Sequence, residues 1–264
     1  MRVIGLISGG KDSTYSMYLC AQSGHQLVGL ANLMPESAQE EDSYMYQTVG
    51  HEFIDLYAEA MDLPLFRRTI AGKPLITQME YNKHSDDEVE DLFELLSHIK
   101  TKISFEGISV GAILSNYQKV RVEDVCKRLN IEMLAPIWGL EQTSLLKNMI
   151  ESDINAILVK VAVLGLEPKH LAKSIGEMLP ILEELNTKYG INVCGEGGEY
   201  ETITLDCPLF KKKIILLVFD IKSNHNLIKI FNSRDEYQIV THSDDAIATV
   251  AYLRPIRMHL EDKS

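Results

Sequence analysis

The chain predicts an α/β protein: a doubly wound parallel sheet of five strands over residues 1–138, then an α+β region with an antiparallel sheet over 139–264. Three observations carry this. Apolar, β-branched runs alternate with helical patterns from Arg2 to Ala135. The first run passes directly into a paired-glycine turn that opens a helix. Beyond Thr202 the helical period fades, and short β-rich segments separated by Asn and acidic pairs replace it.

Arg2–Ile7 reads as a buried first strand, and Thr14–Gln22 as a helix with Tyr15, Tyr18 and Leu19 on one face and Gly24 as its stop. Gln26–Leu33 is the second strand. Ser43 caps a long helix to Met61 whose apolar face is Val49, Phe53, Leu56, Tyr57 and Ala60. Leu65–Ile70 is the third strand, and Asp86–Ile99 a helix whose acidic start suits its dipole. Gly107–Leu114, a helix over Lys119–Leu129 and Ile131–Ala135 complete the first half, and Pro136-Ile137-Trp138-Gly139 breaks it. The second half reads as a helix near Glu141–Glu151, a strand near Ala156–Val163 and a helical region over Pro168–Lys188. Strands follow over Ile203–Leu205, Ile214–Asp220, Leu227–Phe231, Tyr237–Thr241 and Ala246–Leu253.

The turn between the first strand and helix is Ser8-Gly9-Gly10-Lys11-Asp12-Ser13. Paired glycines let the backbone approach an anion, and N–H groups of the turn and the helix N-terminus point at it. Lys11 adds positive charge, Ser8 and Ser13 add hydroxyls, and Asp12 suits a magnesium ion bridging phosphates. The stretch is not the G-x-x-x-x-G-K-[ST] loop: Asp12 stands where that motif needs a hydroxyl, and Gly5 lies inside the strand. If the first two strands are parallel neighbours, Ala31-Asn32 lies beside the glycine turn, where backbone groups can read an adenine. Ala31 and Asn32 fit an ordinary strand end almost as well. Gly111-Ala112 is small, as a strand must be where a ribose or phosphate crosses it. Tyr44 and Gln47, one helical turn apart, either face a ligand or pack amphipathically. The fourth strand runs into Tyr117 and Gln118, and the next helix presents Arg121.

The second unusual stretch is Gly195-Glu196-Gly197-Gly198-Glu199-Tyr200-Glu201-Thr202, too rich in glycine for a helix or a plain core strand. Packed carboxylates repel unless a cation sits among them. A lysine, a metal, an ammonium ion or a charged substrate group each fits, and a solvated acidic loop is the bland alternative.

A net charge of −12 disfavours a nucleic-acid surface, and Lys211-Lys212-Lys213 is the single compact basic run. No apolar stretch is long enough to span a bilayer, and Lys11 and Asp12 interrupt any signal-peptide core. Four cysteines (Cys20, Cys126, Cys194 and Cys207) form no C-x-x-C pair, so reduced thiols in the cytosol are expected.

The Ser8–Ser13 turn resembles the S-G-G-x-D-S loop of the N-type ATP pyrophosphatases, whose sheet is of the HUP-like, adenine nucleotide α-hydrolase type. Over most of its length the chain resembles the diphthine–ammonia ligase family. The resemblance rests on ISGGKDS at 7–13, DSYMYQT at 42–48, VGAILSNYQKVRVEDVCKRL at 110–129 and CGEGGEYETITLDCPLF at 194–210, and is weakest over 211–242. It implies ATP-dependent amidation of diphthine on translation elongation factor 2, through an acyl-adenylate, with release of AMP and pyrophosphate. On it, Ser8, Gly9, Gly10, Lys11 and Ser13 hold phosphates, Asp12 holds magnesium, and Ala31, Asn32, Gly111 and Ala112 flank the nucleoside. Tyr44, Gln47, Tyr117, Gln118, Arg121 and residues Glu196, Gly197, Gly198, Glu199, Tyr200, Glu201 and Thr202 then face the protein substrate or ammonium. Cation–π contact from Tyr44, Tyr117 or Tyr200 to a quaternary ammonium is expected. No cysteine follows Met1 and none sits in a nucleophile elbow, so free ammonium rather than glutamine is the expected nitrogen source. A tRNA-modifying relative, a nucleotide-binding sensor and a scaffold without turnover are the competing readings.

Overall fold

A computed structural model describes residues 1–35, 53–75, 81, 83–223, 226–231 and 250–263. The chain divides into two compact units, Met1–Ser8 with Asp12–Gly139, and Gly9–Lys11 with Leu140–Ser264.

The first unit runs β1 (Arg2–Leu6), α1 (Lys11–Gln22), β2 (Gln26–Met34), α2 (Ile54–Met61), β3 (Leu65–Thr69), α3 (Glu88–Lys100), β4 (Gly107–Ser109), α4 (Asn116–Leu129) and β5 (Glu132–Leu134). Its sheet has the order β3-β2-β1-β4-β5, with every pairing parallel. The order reverses between β1 and β4, and in such sheets ligands bind at the carboxyl ends of the strands beside the reversal. The turn after β1 leaves from that point.

Local chemistry sets the helix ends. Asp87 accepts from the Val89 amide and starts α3, while Ser115 accepts from the Gln118 amide and starts α4 three residues before the apolar period suggests. Asp62 and Asn130 close α2 and α4 in the left-handed region, at φ 53° and 49°. The apolar faces of α3 and α4 (Leu92, Leu96, Ile99, Val122 and Val125) meet Ile4, Ala31, Leu33 and Ile108 of the sheet. Burying each such side chain contributes about 2 kcal/mol. The fourth strand is shorter than its apolar run: pairing stops at Ser109, although the Val110 amide still donates to Leu134 O. Of the long helix expected from Ser43, Ile54–Met61 is described; Tyr44 and Gln47 lie outside the described residues.

The second unit contains α5 (Gln142–Glu151), β6 (Asn155–Val161), α6 (Ile175–Tyr189), β7 (Tyr200–Asp206), β8 (Lys212–Ser223), β9 (Asn226–Phe231) and β10 (Ala251–Asp262). The sheet order is β7-β6-β10-β8-β9, antiparallel throughout. The helical region expected from Pro168 is a single 3-10 turn, Pro168–His170, followed by α6, which a Ser174–Glu177 capping box starts and Gly190 ends. Strand β10 runs to Asp262, well past the expected Leu253, because Pro255 hid it: the pairing register shifts between Pro255 and Arg257, where a proline is tolerated. The strand expected at Tyr237–Thr241 lies outside the described residues. Among the described residues no helix is long and apolar enough to cross a membrane.

Candidate active site

The turn after β1 is fixed from below. The Ile7 amide donates to Ala31 O at 2.9 Å, and Asn32 Nδ2 donates to Ile7 O at 2.9 Å. Arg67 Nε in turn donates to Asn32 Oδ1 at 3.0 Å. Buried Asn32 therefore clamps the ends of β1 and β2, a structural task that its placement beside the turn concealed. Gly9 takes φ 87°, a conformation that favours glycine. Ser8 and Ser13 face each other, their hydroxyl oxygens 3.1 Å apart, and the Ser8 amide donates to Ser13 Oγ at 3.3 Å. Asp12 stands in the first turn of α1.

Gly111 has a packing reason to be small. A Cβ there would lie 2.7 Å from the Ser13 amide nitrogen, so the glycine admits the backbone of α1. Ala112 is buried as well. Ser16 Oγ strengthens this junction, donating to Val110 O at 2.8 Å and lying 2.8 Å from Ser109 Oγ.

Arg121, expected to face a substrate, is 0% exposed. Its guanidinium carbon lies 3.3 Å from the Tyr117 ring centroid, and Nη1 donates to Tyr117 O at 2.9 Å. The cation over Tyr117 is thus the chain's own arginine, one helical turn away. The backbone N–H of Gln118 donates to the Ser115 cap at 3.3 Å.

The second unit holds the glycine-rich acidic stretch in a defined shape. Gly195, Gly197 and Gly198 take φ 75°, 78° and 78°, around a 3-10 turn at Glu196–Gly198. A Cβ on Gly195 would also meet the Tyr200 ring at 2.7 Å. The Tyr200 hydroxyl donates to Val193 O at 2.6 Å, tying the two sides of the turn. Glu199 Oε2 accepts the Asn192 amide at 2.6 Å, and burial raises its carboxyl above the ordinary glutamate value. Glu201 pairs with Lys160 at 3.1 Å; burial raises its carboxyl and Lys160 opposes that. The lysine among the cations the acidic pattern allowed is therefore found beside Glu201. Among the described residues no group of three or more His, Cys, Asp or Glu side chains can hold a metal ion.

Gly9–Lys11 belong to this same unit. The Thr204 amide donates to Gly9 O at 2.8 Å, and the Lys11 amide donates to Thr202 Oγ1 at 3.1 Å, along the edge of β7. Lys11, 2% exposed, donates from Nζ to Cys194 O at 2.5 Å and lies 5.0 Å from the Tyr200 ring centroid. Its ammonium, expected on phosphates, is seated on protein groups.

Three further residues were not legible in advance. Gln142 Oε1 accepts the Val193 amide at 2.5 Å, Asn192 Oδ1 accepts the Cys194 amide at 2.8 Å, and Lys160 holds Glu201. Gln142 and Lys160 lie in an ordinary helix and strand that only the folded path brings to the turn, whereas Asn192 stands just before it in the chain.

An S-G-G-x-D-S turn leaving the first strand of a five-stranded parallel sheet, at the point where strand order reverses, defines a nucleotide-binding fold of the ATP pyrophosphatase type. Within that class the match is specific. The diphthamide synthase N-terminal domain family model covers residues 1–133, and the C-terminal domain model covers 141–237. The chain is 59% identical over 268 residues to the diphthine–ammonia ligase of Bos taurus and 58% identical to that of Homo sapiens, covering 100% of this chain and 94% of each relative. It is 54% identical to the ligase of Danio rerio, covering 98% of that relative. The chain belongs to the diphthine–ammonia ligase family.

Proposed function

We propose that the chain uses ATP and ammonium to convert the carboxylate of diphthine, on translation elongation factor 2, to the amide of diphthamide. The observation that carries the reading is the full-length match to ligases of that name, with the glycine loop intact at its start.

The substrate carboxylate attacks the α-phosphorus of ATP, the bond to the bridging oxygen breaks, and pyrophosphate leaves with that electron pair. Nitrogen then adds to the acyl carbon, and the carbon–oxygen bond breaks to release AMP. Ammonium sheds one proton before this attack and a second after it. The chain's part is alignment and neutralisation of charge. Ser8, Gly9, Gly10 and Ser13 hold the phosphates. Asp12, the carboxylate in the first turn of α1, would hold a magnesium ion, a cation that takes one or two protein carboxylates. Bound there, the ion would neutralise phosphate charge.

Glu199 is the acceptor for the ammonium proton. Its raised carboxyl holds a proton more firmly than an exposed glutamate, and its second oxygen is anchored on Asn192. Glu196 adds negative charge one turn earlier and favours cationic substrate groups. Glu201 is neutralised by Lys160 and supports the strand. Ammonium is the nitrogen source, in keeping with the name of the ligases that the chain matches. Reduced, buried thiols suit a cytosolic reaction.

The test is product analysis with ATP, magnesium, ammonium and elongation factor 2 bearing diphthine. AMP and pyrophosphate should appear only with that substrate, together with a new amide on it. ADP as product, or efficient turnover with glutamine alone, would overturn the reading.

A further inference from the structure

We infer that Lys11 is a positioning residue that grips both ends of the Gly195–Glu199 turn, and not a ligand of the nucleotide phosphates. Its Nζ reaches Cys194 O at 2.5 Å, the last residue before the turn, and lies 5.0 Å from the ring of Tyr200, the first residue after it. One ammonium thus spans the entry and the exit of a turn whose interior contains Gly197 and Gly198 in a conformation few other residues adopt. At the middle of the turn Gly197 and Gly198 carry no side chain to pack it, and a Cβ on either would meet nothing within 4 Å. That stretch takes its shape from the residues that flank it.

The lysine is itself seated at both of its own ends. Its amide donates to Thr202 Oγ1 at 3.1 Å, and the neighbouring Gly9 O accepts from the Thr204 amide at 2.8 Å. At 2% exposure the side chain has exchanged water for a carbonyl and an aromatic face. An ammonium drawn away from these two groups toward a phosphate would loosen both contacts. Holding them fixes the backbone on either side of Glu199, whose carboxylate is aimed by the Asn192 amide. The lysine of the glycine loop acts through that glutamate.

The inference rests on reading residues 8–13 as the ATP loop, and the experiment separates the two. Lys11→Met keeps the unbranched stem of the side chain, one atom shorter, and removes the charge. Its ATP dissociation constant, measured by calorimetry, and its KM for ATP should stay within threefold of the unaltered protein. Amide hydrogen exchange over residues 195–200 should rise more than threefold, and kcat for AMP formation with the protein substrate should fall at least tenfold. A dissociation constant or KM for ATP raised beyond threefold, exchange that stays within threefold, or a kcat that falls less than tenfold would overturn it. A second measurement needs no variant. When the native protein is acylated with an amine-reactive ester and mapped by mass spectrometry, Lys11 should stay unmodified with and without ATP. Labelling of Lys11 in either condition would overturn the inference. If no substrate yields AMP, the proposed function falls, while exchange and labelling still decide the role of Lys11.

Discussion

The molecule contains two acidic regions that look alike as text and differ as structure. The first is the start of α3, where Asp87, Glu88, Glu90 and Asp91 are all buried. Asp87 caps the Val89 amide; Asp91 accepts the Ala71 and Gly72 amides and meets Arg68 at 3.3 Å. Glu90 takes a two-pronged contact from Arg128, at 2.9 Å to each oxygen, and the Tyr81 hydroxyl at 3.0 Å. This cluster ties α3 to α4 and to the chain after β3. The second region, Glu196–Glu201, has its carboxylates spaced by glycines, with burial that raises Glu199 and Glu201 and one lysine to offset it. The lesson concerns partners. Where a guanidinium and a hydroxyl outweigh burial, as Arg128 and Tyr81 do at Glu90, the carboxyl falls below its ordinary value; where one backbone amide stands against burial, as at Glu199, it rises.

Glu199→Gln should break the comparison most sharply. The amide keeps an oxygen for the Asn192 N–H and loses only the proton-accepting charge, so turnover should fall by about 100-fold. The ATP dissociation constant should not move; an equal loss in both would place Glu199 in general folding, like the acids of α3. The counterpart, Glu90→Ala, should leave the ATP dissociation constant unchanged and cost about 2 to 3 kcal/mol of stability in urea denaturation, because Arg128 keeps only Asp124, at 2.8 Å, and the Tyr81 hydroxyl loses its acceptor. A cost below about 1 kcal/mol would mean that the pair behaves as a surface contact.

Gly195→Ala should be next, at about 2 kcal/mol, since the new Cβ meets Tyr200 and the residue must keep a positive φ. A variant with unchanged exchange at 195–200 would count against a rigid turn.

The smallest effect is in pH. Burial pushes the Glu90 carboxyl up, but Arg128 and Tyr81 hold it below its ordinary value of 4.5. A carboxyl lowered on folding stabilises the native state above that ordinary value, so this contribution should disappear as pH falls below 4.5 through the folded value. Glu90→Gln should flatten that acid limb. Glu199 has the opposite sign: its raised carboxyl must be deprotonated to act, so the acid limb of turnover should lie above 4.5 and vanish in Glu199→Gln. An unshifted limb would remove Glu199 as the proton acceptor.

Much of the fold was legible because its signals are local. The run Arg2–Leu6, the paired glycines and the helix behind them announce a strand–turn–helix without reference to the rest of the chain. The alternation of apolar runs and helical periods up to β5 gave the parallel sheet for the same reason. Strand β10 was cut short where Pro255 interrupts the pattern, since its register is set by β8, far away in sequence. Gly111 and Arg121 show the limit at the site. A small residue and a basic one beside a nucleotide loop suggest ligand contacts, and the sequence does not show that Gly111 also makes room for the Ser13 backbone or that Arg121 is sealed against Tyr117.

By itself, then, the sequence determined the class of sheet, the position of the glycine loop and the unusual character of residues 195–202, because periodicity, turn chemistry and glycine spacing act over a few residues. Only the tertiary structure decided what each charge there is for. That Lys11 seats on Cys194 and Tyr200, Glu201 on Lys160 and Glu199 on the Asn192 amide depends on contacts that chain folding creates. Charge states and hydrogen bonds respond to neighbours in space and to the water that burial removes, and neither is written in the order of the residues.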